Sequence, residues 1–283
     1  MKNKTINKKN FFSKFIAKIV RKFGYEIIDQ ANLKIPGTNT LVSENLSKSG
    51  EKSITVPLGS TKITNKINSL SIIIRSYTFG DKDNNQVMLD QSKKRIFDEP
   101  KIEYTLRTIK SVIKSCELAR NNFKDLKIKI FITDDKSNDE SLSQINKILN
   151  ITNIETKLIN INENEFVNEI SVTDIEGKKI SKNMISNMRN ILKSIQIAEH
   201  ENSDLFYFLE DDYIHTNDAI TEMLFSYEKI SSQLNRELFL CPADYPYLYS
   251  TIDNTKLFFG NMRHWRTVNE SLITFLTSKK MIM

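Results

Sequence analysis

The polarity of the chain alternates between short apolar segments and longer stretches in which apolar residues recur every three or four positions. The short segments predict β-strands at residues 70–77, 128–133, 155–161 and 205–209. The longer stretches predict amphipathic helices at residues 102–116, 184–195 and 217–232. Ser137 and Glu140 have the capping-box spacing that begins a further helix. Because strand and helix alternate, the pattern predicts an α/β fold with a mostly parallel sheet flanked by helices.

A separate amphipathic helix is predicted near the N-terminus, over residues 8–23. Apolar residues from Phe12 to Phe23 fall at helical spacing, lysine and arginine fill the other face, and Gly24 is placed to end the helix. A basic helix with phenylalanine on its apolar face suits an anionic membrane surface. The alternative is a helix docked on the protein's own core. The lack of acidic residues in this segment favours the membrane surface.

The excess of positive over negative charge in the chain lies in this N-terminal segment. Residues 1–24 contain eight Lys and Arg residues and no acidic residue. Because the whole chain carries +6, the remaining residues sum to −2. A nucleic-acid-binding domain would carry its basic residues on the folded body, so the charge distribution argues against nucleic acid as a partner.

The chain divides into three predicted regions. Residues 1–28 hold the N-terminal helix, and residues 29–68, rich in Asn, Ser, Thr and Lys, predict a linker. Residues 69–283 form the predicted globular domain. Within that domain, residues 80–100 predict a long polar loop that Pro100 closes.

The composition limits the chemistry and the location. Seven scattered glycines give no Gly-rich phosphate loop, so any phosphate chemistry must rely on a metal or on Arg and Lys. The two cysteines, Cys116 and Cys241, have no metal-binding or redox spacing and suggest reduced thiols. No apolar run approaches the roughly 20 residues that cross a bilayer. We therefore expect a cytoplasmic protein, peripheral on the inner face of the cytoplasmic membrane.

Two acidic clusters directly follow predicted strands, where open α/β sheets bind their ligands. The clusters are Asp134, Asp135 and Asp139, and Glu210, Asp211 and Asp212. Three adjacent carboxylates at the end of a buried strand repel one another, and a bound divalent cation relieves that repulsion. A solvated acidic turn ahead of a helix is the alternative. The continuous apolar strand and the second acidic strand end favour a Mg²⁺ or Mn²⁺ site.

The order of these features resembles the family 2 glycosyltransferases, which have the GT-A fold. The similarity rests on the strand at 70–77, the T-L-R-T-I-K-S-V helix from Thr105, the D-D-K-S-N-D segment 134–139, Met188-Arg189-Asn190 and the F-L-E-D-D segment. Each motif alone is weak, and the ordered set across residues 70–232 is more specific. The resemblance implies a nucleotide-sugar donor and a divalent metal ion.

The resemblance also implies residue roles at the donor. Asp134 or Asp135 would accept a hydrogen bond from the nucleobase or ribose, and Arg189 would meet the nucleotide. The alternatives are a helix-capping turn for the two aspartates and an ordinary solvated arginine for Arg189. Asp212 would bind the metal ion that bridges the diphosphate.

Within the same triplet, Glu210 and Asp211 would reach the ribose, the sugar or metal-bound water. Glu210 stands where the family usually has aspartate.

The catalytic base is the least visible part of the sequence. An inverting transferase needs a carboxylate that deprotonates the acceptor hydroxyl, and in this family it commonly belongs to a downstream acidic pair. Glu270 is the one acidic residue after Arg266 in the sequence, and Asp244 is the alternative candidate for the base. The chain ends in Lys-Lys-Met-Ile-Met, so we expect either a truncated sequence or a base located elsewhere.

Aromatic and polar residues downstream suit a sugar ligand. Segments 241–247 and 263–266 combine Tyr and Trp, which stack on sugar C–H surfaces, with Arg, which pairs with phosphate. A core tryptophan with loop charges is the alternative. A lone histidine such as His215, three residues past Asp212, is more often structural than a ligand.

The resemblance therefore implies a metal-dependent, inverting hexosyltransferase of cell-surface polysaccharide biosynthesis. It would move a sugar from a nucleotide diphosphate to a glycan or lipid-linked acceptor. A nucleotidyltransferase is one alternative, although no Gly-rich basic loop follows the first strand. A non-catalytic membrane-surface protein with a degenerate GT-A domain is another.

Overall fold

The computed structural model describes residues 11–25, 53–56, 59–78, 99–173, 175–249 and 255–283. The helices are α1 (Phe11–Lys22), α2 (Lys101–Asn122), α3 (Asp139–Leu149), α4 (Lys182–His200), α5 (Ala219–Leu234) and α6 (Lys279–Ile282). The first strands are β1 (Ser53–Val56), β2 (Gly59–Lys62), β3 (Ser69–Ser76), β4 (Lys127–Asp134) and β5 (Glu155–Asn160). The later strands are β6 (Leu205–Glu210), β7 (Phe239–Leu240), β8 (Leu257–Phe259), β9 (His264–Arg266) and β10 (Phe275–Ser278).

A six-stranded sheet in the order β5-β4-β3-β6-β10-β7 forms the centre of the domain. Strands β5, β4, β3 and β6 run parallel, and β10 is antiparallel to both β6 and β7. This mostly parallel sheet confirms the predicted α/β class and is consistent with a GT-A, Rossmann-like arrangement. The antiparallel strands β7 and β10 were not predicted from the sequence.

Helices cover both faces of the sheet, which explains the near-continuous apolar sequence of its strands. Along β3, Ile72 and Ile74 belong to the larger apolar cluster with residues of α2, α3 and α5. Ile73 points to the opposite face and packs with Ile197 and Ala198 of α4. All three isoleucines of β3 are fully buried. An apolar layer thus lies on each face of the sheet, and both layers hold the central strands in place.

Helix α3 begins differently from the capping box predicted at Ser137 and Glu140. The N-cap is Asn138, whose Oδ1 accepts a hydrogen bond from the backbone N–H of Ser141 at 2.8 Å. Ser137 instead contacts the end of β4, where its hydroxyl donates to the Asp134 carboxylate. The predicted cap is therefore wrong by one residue, because a competing acceptor lies within reach of the serine side chain.

The predicted linker, residues 29–68, is structured in its last part. Strands β1 and β2 pair antiparallel, and the N–H groups of Thr64 and Asn65 donate to Ser232 Oγ. Ile67 is buried, and its N–H donates to Glu228 Oε1 at 2.8 Å. The last residues of the predicted linker therefore contact the folded domain. Residues 29–52, and most of the loop predicted at 80–100, lie outside the described residues.

The N-terminal helix is present as α1, and Gly24 follows it with a φ of 83°, as expected for a residue that ends a helix. Phe15, Ile16 and Ile19 of this helix are exposed. None of the helices in the described part of the chain is long and apolar enough to span a bilayer.

Candidate functional site

The two acidic clusters lie at the same edge of the sheet, on either side of the carboxyl end of β3. Ser76 of β3 is the register partner of Asp134 on β4, and Arg75 is the partner of Glu210 on β6. The parallel order β4-β3-β6 brings together clusters that are separated by about 75 positions in sequence. The structure therefore places both acidic strand ends at one edge of the sheet.

Asp134 is engaged within its own turn. Its carboxylate accepts from the Ser137 N–H at 2.9 Å and from the Ser137 hydroxyl at 2.5 Å. Burial raises the pKa of Asp134, and the two hydrogen bonds from Ser137 oppose that rise. Ser137 Oγ also accepts from the N–H of Thr78, which ties the end of β3 to this turn. Asp134 therefore holds the turn after β4 in place beside the end of β3.

Asp135 is differently placed. It is fully buried, yet neither carboxylate oxygen accepts a hydrogen bond from any residue that the structure describes. Arg189 of α4 provides the nearby positive charge, with its Nη1 3.7 Å from Asp135 Oδ1. Buried carboxylates without hydrogen bonds are costly, so this group is suited to a ligand that donates an N–H or O–H.

Helix α4 contributes two neighbouring side chains to this edge. Arg189 faces Asp135, and Asn190 Nδ2 donates to the backbone carbonyl of Ser76 at 3.2 Å. Asn190 is buried, and Arg189 retains 14% of its side-chain exposure. Of the two neighbouring residues noted in the sequence, Asn190 therefore lies at the end of β3 and Arg189 lies beside the buried carboxylate of Asp135.

Glu210 forms an ion pair with Arg75, a residue that the sequence analysis did not single out. Arg75 Nη2 lies 3.2 Å from Glu210 Oε1, and Arg75 also donates to Asn187 Oδ1 and to the carbonyl of Ile273. Burial lowers the pKa of Arg75, and Glu210 is the first of the acidic neighbours that oppose this. Burial raises the pKa of Glu210, and Arg75 opposes that rise.

Asp211 is buried and held on several sides. Oδ2 accepts from the Thr105 hydroxyl at 2.7 Å and from the Tyr77 N–H at 3.3 Å, while Lys101 Nζ lies 2.7 Å from Oδ1. Asp212 retains 47% of its side-chain exposure, and the same lysine lies 3.6 Å from its Oδ2. Asp212 is therefore the carboxylate of the triplet that is most open to a ligand.

Lys101 had no signal in the sequence. It is the first residue of α2, directly after Pro100, and nothing in the local pattern distinguishes it from other surface lysines. Packing of α2 against α5 and the sheet brings its ammonium group between two carboxylates of the β6 end. The site therefore already contains a positive charge beside Asp211 and Asp212.

The side chains at this edge suit a metal ion that is bound by the protein and a ligand together. Within the ranges described, no group of three or more His, Cys, Asp or Glu side chains is arranged to hold a metal. A Mg²⁺ ion often takes only one or two carboxylates and completes its shell with phosphate oxygens and water. Asp212 offers such a carboxylate at the open edge, so the residues fit a metal bound together with a diphosphate.

The two candidate bases lie apart from this acidic edge in sequence and differ in their contacts. Arg266 Nη2 lies 2.8 Å from Asp244 Oδ1, and the Tyr249 hydroxyl donates to Asp244 Oδ2. Hydrogen bonds from Tyr249 and Arg266 hold the pKa of Asp244 below its usual value. Glu270 is exposed in the loop between β9 and β10. The role of either residue as the base stays a prediction.

Comparison with known proteins adds little at the level of sequence. No protein-family model matches the chain, and no curated protein matches it. Among solved structures, the chain is similar to the crystal structure of S. aureus TarS, a glycosyltransferase, with a TM-score of 0.30 and 12% identity. The match covers 55% of this chain and 18% of TarS.

Proposed function

We propose that the chain is a glycosyltransferase of the GT-A type that takes its sugar from a nucleotide-diphosphate-sugar donor. The observation that carries this proposal is Asp135, a fully buried carboxylate that accepts no hydrogen bond from the described residues, at the carboxyl edge of a parallel sheet. Arg189 stands beside it, and the acidic end of β6 lies across β3. One edge thus offers a hydrogen-bond acceptor for the nucleobase or ribose and, at the other strand end, a carboxylate for the metal ion at the diphosphate.

The donor half of the site divides between two strand ends. Asp135 accepts from the nucleobase or ribose, and Arg189 adds a positive charge near the nucleotide. Asp134 fixes the turn that presents Asp135. Glu210 and Asp211 face the ribose, the sugar or metal-bound water from the β6 end.

Asp212 is proposed to bind Mg²⁺ or Mn²⁺ jointly with the diphosphate of the donor. A cation at that position neutralises charge that develops on the departing diphosphate. Lys101, within 3.6 Å of the same carboxylate, adds positive charge from the protein itself. Lys101 thus gives this Gly-poor chain a cationic group near the expected phosphate position.

Transfer is proposed to proceed with inversion. The acceptor hydroxyl oxygen forms a bond to the anomeric carbon while the bond from that carbon to the diphosphate oxygen breaks, and the nucleoside diphosphate leaves with the electron pair. The hydroxyl proton passes to a carboxylate base, for which Asp244 and Glu270 are the candidates. The acceptor is a glycan or a lipid-linked acceptor, as in cell-surface polysaccharide biosynthesis.

Helix α1 supplies a proposed membrane contact on the inner face of the cytoplasmic membrane. Its exposed Phe15, Ile16 and Ile19 offer an apolar surface, with Arg21 and Lys22 in its last turn. Vesicle co-sedimentation tests this part separately. Deleting residues 1–24 should abolish binding to vesicles that contain phosphatidylglycerol, and unchanged binding would disprove the membrane contact.

Calorimetric titration with a panel of nucleotide-sugars, with and without Mn²⁺, tests the proposal. We expect one donor to bind the wild type and the Asp135→Asn variant to bind it at least about tenfold more weakly, since one charge-assisted hydrogen bond is lost. Asp139→Asn is the matched control, because Asp139 is an exposed residue of the same segment. Hydrolysis of the bound donor should then decline in Asp212→Ala.

The outcomes separate the competing functions. Absence of binding and turnover with every nucleotide-sugar would disprove the glycosyltransferase. Release of inorganic diphosphate from a nucleoside triphosphate and a sugar phosphate would indicate a nucleotidyltransferase instead. Vesicle binding without any donor binding would indicate a non-catalytic membrane-surface protein.

A further inference from the structure

A cavity of about 260 Å³ lies directly beyond the acidic end of β6, between the segment after that strand, helix α5 and the β8–β9 hairpin. Its wall includes Tyr213, which follows Asp212 in the chain, and Trp265 of β9. Ligand sites for drug-sized molecules span about 300–1,000 Å³, so this cavity is sized for a single ring. It is distinct from the buried carboxylate of Asp135 on the far side of β3.

The charged groups around this cavity are already engaged in contacts within the protein. Glu222 is buried, and its two oxygens accept from Trp265 Nε1, from the backbone N–H groups of Asn261 and Met262, and from the Ser226 hydroxyl. Arg263 Nη2 lies 3.3 Å from Asp218 Oδ2. With the carboxylate and the guanidinium each paired, the cavity suits a ligand without net charge.

Glu222 also fixes the shape of the wall. A Cβ at Gly260 would lie 2.1 Å from Glu222 Oε1 and 2.7 Å from the Arg263 carbonyl, so only glycine permits this close approach. Gly260 N–H donates to that same carbonyl at 2.8 Å, which closes the hairpin turn. The hairpin that carries Trp265 is thus held to α5 through a buried carboxylate, and the cavity is built before any ligand arrives.

The lining combines flat apolar surfaces with neutral polar groups. Trp265, Tyr207 and Met223 provide the apolar part. His215 Nε2 lies 2.9 Å from the Tyr207 hydroxyl, and burial lowers the pKa of His215 to about 4, so the imidazole is neutral at neutral pH. Tyr213 adds a hydroxyl that lies within hydrogen-bond distance of Tyr245. Such a lining matches a ring with C–H faces and hydroxyl groups at its rim.

We infer that this cavity binds the terminal sugar ring of the acceptor, an uncharged pyranose stacked against Trp265. The inference rests on the proposed transferase function and names the class of its acceptor. Because Tyr213 directly follows Asp212, a ring in the cavity lies next to the residue proposed for the diphosphate end. The wall residue Ala243 directly precedes the candidate base Asp244 in the chain.

Trp265 is the only tryptophan in the chain, so its emission reports directly on this cavity. The experiment titrates the full chain with methyl glycosides of glucose, galactose and N-acetylglucosamine and follows tryptophan emission. We expect a saturable change with at least one glycoside. Ala243→Leu, which fills the cavity, should weaken that response at least about tenfold, whereas Asp139→Asn, at an exposed residue away from the cavity, should leave it unchanged.

Circular dichroism of Ala243→Leu first establishes that the variant is folded, and the smaller Ala243→Val replaces it if it is not. Absence of a saturable response to every glycoside would overturn the inference. It would also be overturned if benzyl alcohol, which does not emit with tryptophan, gave a saturable response and the glycosides did not, because the cavity would then select an aromatic ring. Failure of the donor proposal is separate, because calorimetric donor titration does not depend on Trp265.

Discussion

Arg75 and Glu210 are register partners at the carboxyl ends of β3 and β6, with Arg75 Nη2 3.2 Å from Glu210 Oε1. The arginine side chain is 4% exposed and the glutamate side chain 35% exposed, so the pair lies at the boundary between the sheet and the open edge. The same guanidinium donates to Asn187 of α4 and to the carbonyl of Ile273. One buried cation therefore joins two strands, a helix and the segment before β10 beneath the candidate site.

We expect Arg75→Met to lower the free energy of unfolding by about 1–3 kcal/mol, because it leaves a partly buried carboxylate without its counter-ion. Burial already raises the pKa of Glu210, and loss of Arg75 raises it further. A group with a raised pKa in the folded state binds more protons there, so the variant should be relatively more stable at mildly acidic pH than at neutral pH. Urea unfolding at both pH values measures this.

The double variant Arg75→Met with Glu210→Gln is the control for this pair. It removes the unpaired charge and should recover part of the loss at neutral pH. A deficit that is the same in the single and the double variant would mean that Arg75 acts through packing and its two other hydrogen bonds alone.

Lys101 is predicted to compete with a divalent cation for Asp212. Its ammonium lies 3.6 Å from Asp212 Oδ2, and two charges at this distance near a protein surface interact by about 1–4 kcal/mol. Lys101→Gln should therefore tighten Mn²⁺ binding in the presence of a nucleoside diphosphate by about fivefold or more. Electron paramagnetic resonance of free Mn²⁺ gives the dissociation constant.

Lys110→Gln is the matched control, because Lys110 is an exposed residue of the same helix. If Mn²⁺ bound Lys101→Gln no more tightly than the wild type, the cation would not share Asp212 with the lysine, and the proposed metal position would be wrong.

The parts of the site that follow from local sequence patterns were predictable. An apolar strand followed by carboxylates marks Asp135 and Asp212, and parallel pairing then places both at one edge without knowledge of the side-chain contacts. Arg75 was not predicted, because a charge inside an apolar strand is compensated by residues distant in sequence. Lys101 was not predicted either, since its position depends on the packing of α2. The hairpin β8–β9 lacks the long apolar alternation that marks a strand.

Asn138, rather than the predicted Ser137, caps α3, and the difference can be measured. Asn138→Ala removes the acceptor for the Ser141 N–H and should lower the free energy of unfolding by about 1 kcal/mol. Glu140→Ala should have little effect, because the predicted capping box is not formed. Thermal unfolding of the two variants compares them directly. If Glu140→Ala lowered the stability as much as Asn138→Ala, the predicted capping box would be formed in solution.

His215 should make the protein less stable at acidic pH. Burial lowers its pKa from 6.5 to about 4. Between pH 6.5 and about pH 4 the unfolded state therefore binds a proton at this imidazole that the folded state does not bind. The unfolded state then binds more protons, and the free energy of unfolding falls as the pH drops through this window. At about 1.4 kcal/mol per unit, the decline attributable to this residue is on the order of 3 kcal/mol.

Comparing urea unfolding of the wild type and His215→Gln across the same pH window isolates this contribution, because the carboxylates titrate in both proteins. The difference in unfolding free energy between the two should shrink or change sign as the pH falls, since glutamine has no proton to take up. His200→Gln serves as the control, because His200 is exposed at the end of α4. Parallel pH profiles for the wild type and His215→Gln would mean that the imidazole is hydrated in solution. The walls of the cavity beside Trp265 would then be open to water at this position, and its neutral lining would have to be reconsidered.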